Sequence, residues 1–170
     1  QLLTLARLDA NAGLSQVQAI NLYTCAQTVI ADLFNIRRKN VDIQLSGDAN
    51  TTVQSTQELM YILLKNIIEN AITHTPEQTA EGELGSIHVH IEQTPTPQIR
   101  ITDSGSGIAP EQLQRITERF YRAEQKHDGF GIGLSIVQRI CQLHQAQLSI
   151  TNRTDGHSGL DVCITFNGVH

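Results

Sequence analysis

Asn66, Glu69, Asn70 and Thr73 are spaced i, i+3, i+4 and i+7, so on a helix they form one polar stripe. Asn is disfavoured inside helices by roughly 0.5 kcal/mol against Ala, so two on one stripe beside a Glu ask for a reason. Their carbonyl and carboxylate oxygens suit a hard cation, Mg2+ above all where phosphates complete its octahedron; a solvated helix face has the same pattern. Next, Ile101-Thr102-Asp103-Ser104-Gly105-Ser106-Gly107-Ile108 passes from a strand into a glycine-spaced loop. A carboxylate there can accept from an amino group such as adenine N6, and the glycines let backbone approach a flat ring. An ordinary turn explains the segment about as well.

Gly129, Gly131 and Gly133 alternate directly before an amphipathic pattern, Leu134-Ser135-Ile136-Val137 onward. Such a loop offers backbone N–H groups and a helix N-terminus to phosphate oxygens, or serves as a hinge. It is not a dinucleotide fingerprint, because the spacing is G-x-G-x-G and no strand immediately precedes it; no Lys-Ser/Thr pair follows, so it is not a Walker loop. Between the glycine segments lies Glu118-Arg119-Phe120-Tyr121-Arg122. Arg122 can reach a terminal phosphate, Phe120 suits packing of a loop, and residues 124–128 with Lys126 suit a lid. A solvated surface loop accounts for these residues equally well.

These groups need elements to position them. From Thr56 to His74, Met60, Leu63, Leu64, Ile67, Ile68 and Ala71 follow a helical period, and Pro76 closes the segment. Asn21 can cap an earlier helix running to about Lys39. Val41–Leu45, Thr52–Gln54, Ser86–Ile91 and Gln98–Thr102 alternate as strands, the last two joined through Thr94-Pro95-Thr96-Pro97. A short helix is expected after Pro110 and a longer one over Gly133–His144. Gln147–Ile150 and Leu160–Ile164 read as strands around an Asp155-Gly156 turn. This order predicts an α+β sandwich with helices on one face of a mixed sheet.

The whole chain, 170 residues at 39% hydrophobic and 17% charged, has the size and balance of one globular domain. A net charge of -5 is unfavourable for binding that rests on neutralising nucleic-acid phosphates. No apolar run reaches membrane-spanning length. The three cysteines, Cys25, Cys141 and Cys163, have neither zinc nor disulfide spacing, which suits a reducing compartment.

In combination the four segments are far more specific than any of them alone. They resemble the ATP-binding catalytic domain of bacterial sensor histidine kinases, in the superfamily shared with gyrase, Hsp90 and MutL. Asn66–Ala71 resembles the N box, Asp103–Gly107 the G1 box, Arg119–Arg122 the F box and Gly129–Leu134 the G2 box. The wording of Leu2–Asp9, Glu118–Arg122 and Gly133–Ile140 is similar to the PmrB/QseC class. The resemblance implies a two-layer sandwich, about five strands on three helices, binding ATP and Mg2+. By it, Asn70 holds Mg2+, and Asn66, Glu69 and Arg122 serve catalysis. Asp103 reads adenine with Gly105, Gly107 and Ile108 beside it. Thr73, His74, Phe120, Arg122, Lys126, Gly129, Gly131, Ile132, Gly133 and Leu134 complete the nucleotide site with the two Asn. Thr73 departs from the Lys or Arg of many relatives, leaving a phosphate charge missing or supplied by Arg122 or Lys126.

By the same resemblance, residues 1–12 are the end of a second dimerisation helix, 13–19 a linker and 20–170 the catalytic domain. The expected partners are the dimerisation and phosphoacceptor domain of the same protein and a response-regulator receiver, with no nucleic acid. The domain alone is expected to be a monomer, and the full-length protein a homodimer in the bacterial inner membrane with this domain cytoplasmic. None of the seven histidines has the acid-and-proline context of a phosphoacceptor. His88 and His90 lie on one side of a strand, where two imidazoles can bind a metal, and an ordinary solvent-facing pair is the better reading. Rival readings are a gyrase- or Hsp90-type ATPase switch, which carries a water-activating Glu where this chain has Asn66, an anti-sigma serine kinase, and a degenerate partner-binding domain.

Overall fold

The computed structural model describes residues 16–117 and 131–167. Helix α1, Leu22–Ile36, begins where the Asn21 side chain accepts the Thr24 N–H at 2.9 Å, and it buries Leu22, Cys25, Ala26, Val29 and Leu33. It ends three residues before the expected Lys39. Arg37 is already extended, with its N–H on the Leu33 carbonyl, and Lys39 reaches instead for the carbonyls of Ile72 and Thr73, 3.0 Å from each. Those carbonyls lie in the last turn of helix α2, Gln57–His74, where a cation is favoured. Thr56 caps the start of α2 by accepting the Leu59 N–H, and Met60, Leu63, Leu64, Ile67, Ile68, Ala71 and Ile72 form its buried face. Each fully buried Leu or Ile of this kind contributes about 1.5–3 kcal/mol.

Two strands, β1 (Gln18–Asn21) and β3 (Thr52–Ser55), pair antiparallel as a separate ribbon. The sequence periodicity marks β3 and not β1, because four residues with one buried side chain carry too little alternation. The main sheet contains β2 (Asp42–Gly47), β4 (Ser86–Glu92), β5 (Gln98–Asp103), β6 (Gln147–Asn152) and β7 (Leu160–Thr165), in the order β2-β4-β5-β7-β6. Only β2 and β4 are parallel, so the sheet is mixed as expected. Its inner face aligns Ile43, Ile87, Asp103 and Leu160 in one row and Leu45, Val89, Ile101, Val162 and Ile150 in the next. Helices α1, α2 and α4 (Gly131–Leu143) cover that face around one core; α3 (Pro110–Thr117) is a short fourth helix. The outer face carries Gln44, Ser46, His88, His90, Arg100 and Thr102. Helix α4 starts two residues earlier than expected, so Gly131 and Gly133 lie inside its first turn.

Candidate functional site

The Asn stripe of α2 and the first turn of α4 meet face to face. A Cβ built on Gly133 would lie 3.2 Å from Asn66 Oδ1 and 3.4 Å from Asn70 Oδ1, so an added methyl presses on the Asn66 carboxamide and touches that of Asn70. Asn66 is 7% exposed and is held in place by its own Nδ2–H, which donates to the Ile62 carbonyl at 2.8 Å. That bond leaves its oxygen directed to the α4 turn. Glu69 and Asn70 are half-buried on the same stripe, and Leu134 is buried beneath it. Thr73 is exposed, and its hydroxyl donates back to the Glu69 carbonyl at 2.9 Å.

Across the cleft stands Asp103, 4% exposed at the end of β5. Its Oδ1 accepts the Gly105 N–H at 2.9 Å and the Leu160 N–H at 3.2 Å, so Oδ2 is the oxygen left for a ligand. Burial raises its pKa above the ordinary carboxylate value, against the pull of those two N–H groups and of Arg153. Gly105 is required by packing: a Cβ there would come 2.4 Å from the His74 carbonyl oxygen, where the loop crosses the end of α2. His74 itself is half-buried. Ile67, Asn70, Ala71, Asp103, Leu134 and Leu160 are among the residues lining the cleft between the two sides, apolar in the middle with Asp103 and Asn70 as its polar groups. A wider hollow near Pro95, Pro97 and Phe166 is lined by amide side chains and offers no carboxylate.

A family model described as "Histidine kinase-, DNA gyrase B-, and HSP90-like ATPase" matches residues 55–168. The chain belongs to that family. Sensor protein QseC of Salmonella typhi is 35% identical over 159 residues, which cover 92% of this chain and 33% of that protein. The sensor protein kinase PmrB of Pseudomonas aeruginosa is 34% identical over 166 residues, 95% of this chain and 33% of that protein. The chain thus spans about a third of the length of these curated relatives. A crystal structure of full-length ShkA in complex with AMPPNP superimposes with a TM-score of 0.75 at 21% identity, over 97% of this chain and 34% of that one, and shares the fold.

Within this ATPase-family domain, the structure brings Asn66, Asn70, His74, Asp103, Gly105, Gly133 and Leu134 around one cleft or against its walls, and Glu69 shares the helix stripe of the two Asn. Thr73 lies at the exposed end of the stripe. Gly107 and Ile108 continue the loop from Asp103, while Gly131 and Ile132 belong to the backbone of the first α4 turn. Phe120, Arg122, Lys126 and Gly129 lie outside the described residues.

Three contributors come from a part of the chain where the sequence shows only a strand and a turn. Asn152, at the end of β6, clamps the loop: its Oδ1 accepts the Ile108 N–H at 2.9 Å and its Nδ2–H donates to the Ile108 carbonyl at 2.8 Å. Arg153 donates to the Asp103 carbonyl at 3.0 Å and is itself held by Asp155 in a two-point pair, at 2.6 and 3.1 Å. That pair holds the exposed Asp155 carboxyl down at about 2. Gly159 (φ +131°) passes so close to Asp103 that a Cβ would overlap the Asp103 carbonyl oxygen. No local sequence signal marks these residues, because each acts on Asp103 or Ile108 from about fifty positions away.

Proposed function

We propose that this domain is the catalytic ATP-binding part of a two-component sensor histidine kinase, binding Mg-ATP and passing the γ-phosphate to a histidine on a separate dimerisation helix. The observation that carries this is the pairing of a buried, backbone-fixed Asp103 with the Asn66 and Asn70 carboxamides at an α4 N-terminus, on opposite walls of one cleft. Asp103 Oδ2 accepts from the adenine amino group, the apolar middle takes the ring, and the α4 turn receives the phosphates. The name of the relative PmrB, a sensor protein kinase, supports the same reading for this piece of chain.

The donor set fits Mg2+. Asn70 offers a hard carboxamide oxygen beside Glu69, and among the described residues no three His, Cys, Asp or Glu side chains converge. Such a site holds Mg2+ only through one or two protein oxygens plus the phosphates, as that ion prefers. When bound, the ion neutralises charge on the phosphate oxygens. The chain's own contribution is positional. Asn66, fixed by its bond to Ile62, and the α4 N–H groups orient the terminal phosphate in line with an incoming imidazole, and phosphoryl transfer asks for little more than placement and charge. Asn66 is a poor water-activating base, which favours transfer to an imidazole over hydrolysis. The next acceptor is an aspartate of a response-regulator receiver, and the domain works on the cytoplasmic side of the membrane.

Calorimetric titration with ATP, with and without Mg2+, tests the binding half. Asn70→Ala is expected to abolish the Mg2+ dependence while leaving the fold intact. Adding the dimerisation helices in trans is expected to give acid-labile phosphohistidine. Turnover to ADP at full rate without that partner would overturn the kinase reading in favour of an ATPase switch.

A further inference from the structure

The outer sheet face, opposite the nucleotide cleft, holds a second constructed cluster. His88 and His90 project from β4 on the same side, and Ser46 of β2 is the direct cross-strand neighbour of His90. The Ser46 hydroxyl lies 2.7 Å from His88 Nε2 and 2.8 Å from His90 Nδ1. On its far edge, His90 Nε2 is 2.8 Å from Glu92 Oε1. The pair faces solvent as the strand alternation suggests, with His88 exposed and His90 half-buried, and two ring nitrogens from these different residues are aimed at one point.

Hydrogen-bond directions follow from the donor inventory. Glu92 is a carboxylate and accepts, so His90 carries its proton on Nε2 and presents a lone pair at Nδ1. Ser46 has one proton, which it donates to that lone pair, and its oxygen accepts the His88 Nε2–H. Moving the His88 proton to Nδ1, the other neutral tautomer, gives two imidazole lone pairs converging on one spot. A zinc–nitrogen bond is about 2.0–2.1 Å, so a cation taking the point the Ser46 hydroxyl now holds needs Ser46 to turn to another rotamer and each ring to shift by about 0.7 Å. The carboxylate behind His90 is the outer partner that metal-ligating histidines usually have. Arg100, the cross-strand neighbour of His90 on the next strand, is turned to Asp161 (3.6 Å) and so does not fill the spot with a competing charge.

We propose that His88 Nε2 and His90 Nδ1 form a two-nitrogen chelate for a borderline divalent cation of the Zn2+ class, with water completing the shell and Glu92 orienting His90. Imidazole nitrogen selects Zn2+, Ni2+ or Cu2+ over Mg2+ and Ca2+, so this site does not compete for the ion at the nucleotide. With only two nitrogen ligands the site is exchangeable, and Cu2+ binds it more tightly than Zn2+.

The test is titration of the nucleotide-free domain with Zn2+, followed by calorimetry and by the histidine ring proton resonances. The expected result is one Zn2+ per chain, with shifts at His88 and His90 and a Zn2+-dependent rise in Tm. Both are lost in His88→Gln and in His90→Gln, and Glu92→Gln weakens affinity about 10- to 100-fold. ATP titration of the same variants is expected to match the parent, showing that they remain folded. Unchanged Zn2+ affinity in His88→Gln, or no Zn2+ response in the folded parent, overturns the proposal.

Discussion

Replacing Asp103 by Asn separates recognition from folding at the same side chain. The Asn keeps an Oδ1 that can accept both the Gly105 and the Leu160 N–H, so the two bonds that fix the loop survive. What changes is the other position, where a carboxylate oxygen becomes an NH2 group facing the adenine amine. A hydrogen bond to a charged acceptor contributes about 1.5–3 kcal/mol, and the new donor is left without a partner. Together these weaken ATP binding by about 3 kcal/mol, a hundredfold or slightly more in Kd. Stability should move the opposite way. Burial raises the Asp103 pKa above its unfolded value, so its stabilising contribution is full below about 3.8, the ordinary value, and is lost as pH rises through the raised folded value. At neutral pH the ionised, buried carboxylate opposes folding, and Asp103→Asn removes that burden. The variant is therefore expected to melt at or above the parent Tm at pH 7, and to lose this advantage as the medium is acidified. Calorimetric ATP titration and thermal melts across pH 3–7 give both quantities from one preparation. ATP affinity within threefold of the parent would refute the assignment of Oδ2 to adenine, and a variant that melts well below the parent would refute the burial argument.

Asn152→Ala removes both bonds to Ile108, leaving groups that water can reach, and is expected to lower stability by about 1–2 kcal/mol; ATP Kd rises several-fold while the transfer rate at saturating ATP is kept, which separate measurements of KM and kcat would show. Gly133→Ala favours the helix by up to about 1 kcal/mol but places a methyl 3.2 Å from Asn66 Oδ1; the melting temperature should hold or rise while ATP binding weakens, and unchanged binding would count against the α4 turn as the phosphate site. His144 is buried, its two nitrogens engaged by the Ile140 carbonyl and the Ser55 hydroxyl, and burial lowers its pKa below 6.5. Its contribution is present above pH about 6.5 and lost as pH falls through the lower folded value, so urea midpoints should drop between pH 7 and 5 in the parent and much less in His144→Gln.

The helices, the five sheet strands and both Asn were legible because their signals are local. A buried face repeats within one turn, Thr56 sits where a cap must sit, and an Asn inside a helix is conspicuous for its poor propensity. The inner-face alternation of Ile87, Val89 and Ile91 against Asp103, Ile101 and Ile99 could be read from either strand alone. Strand β1 could not, since its pairing with β3 is set by the partner and by Asn21, whose Nδ2–H reaches the Ala49 carbonyl, rather than by any pattern of its own.

The supports of Asp103 were illegible for a different reason. An aspartate followed by glycines says that a carboxylate can stand at a strand end; it does not say what keeps that carboxylate from turning to solvent. Here the answer lies on β6, β7 and their connection. The Leu160 N–H fixes Oδ1, Arg153 holds the Asp103 carbonyl, Gly159 lets the chain pass, and Asn152 pins the loop at Ile108. Strand order explains why: β7 is the antiparallel neighbour of β5 and β6 of β7, so the far end of the chain is delivered to the open edge of the Asp103 loop. A buried charge needs hydrogen bonds from every side that water has left, and those donors come from whichever segment the sheet places there. It follows that damage to the β6–β7 connection, with the N and G1 segments untouched, should lower ATP affinity as surely as damage to those segments themselves.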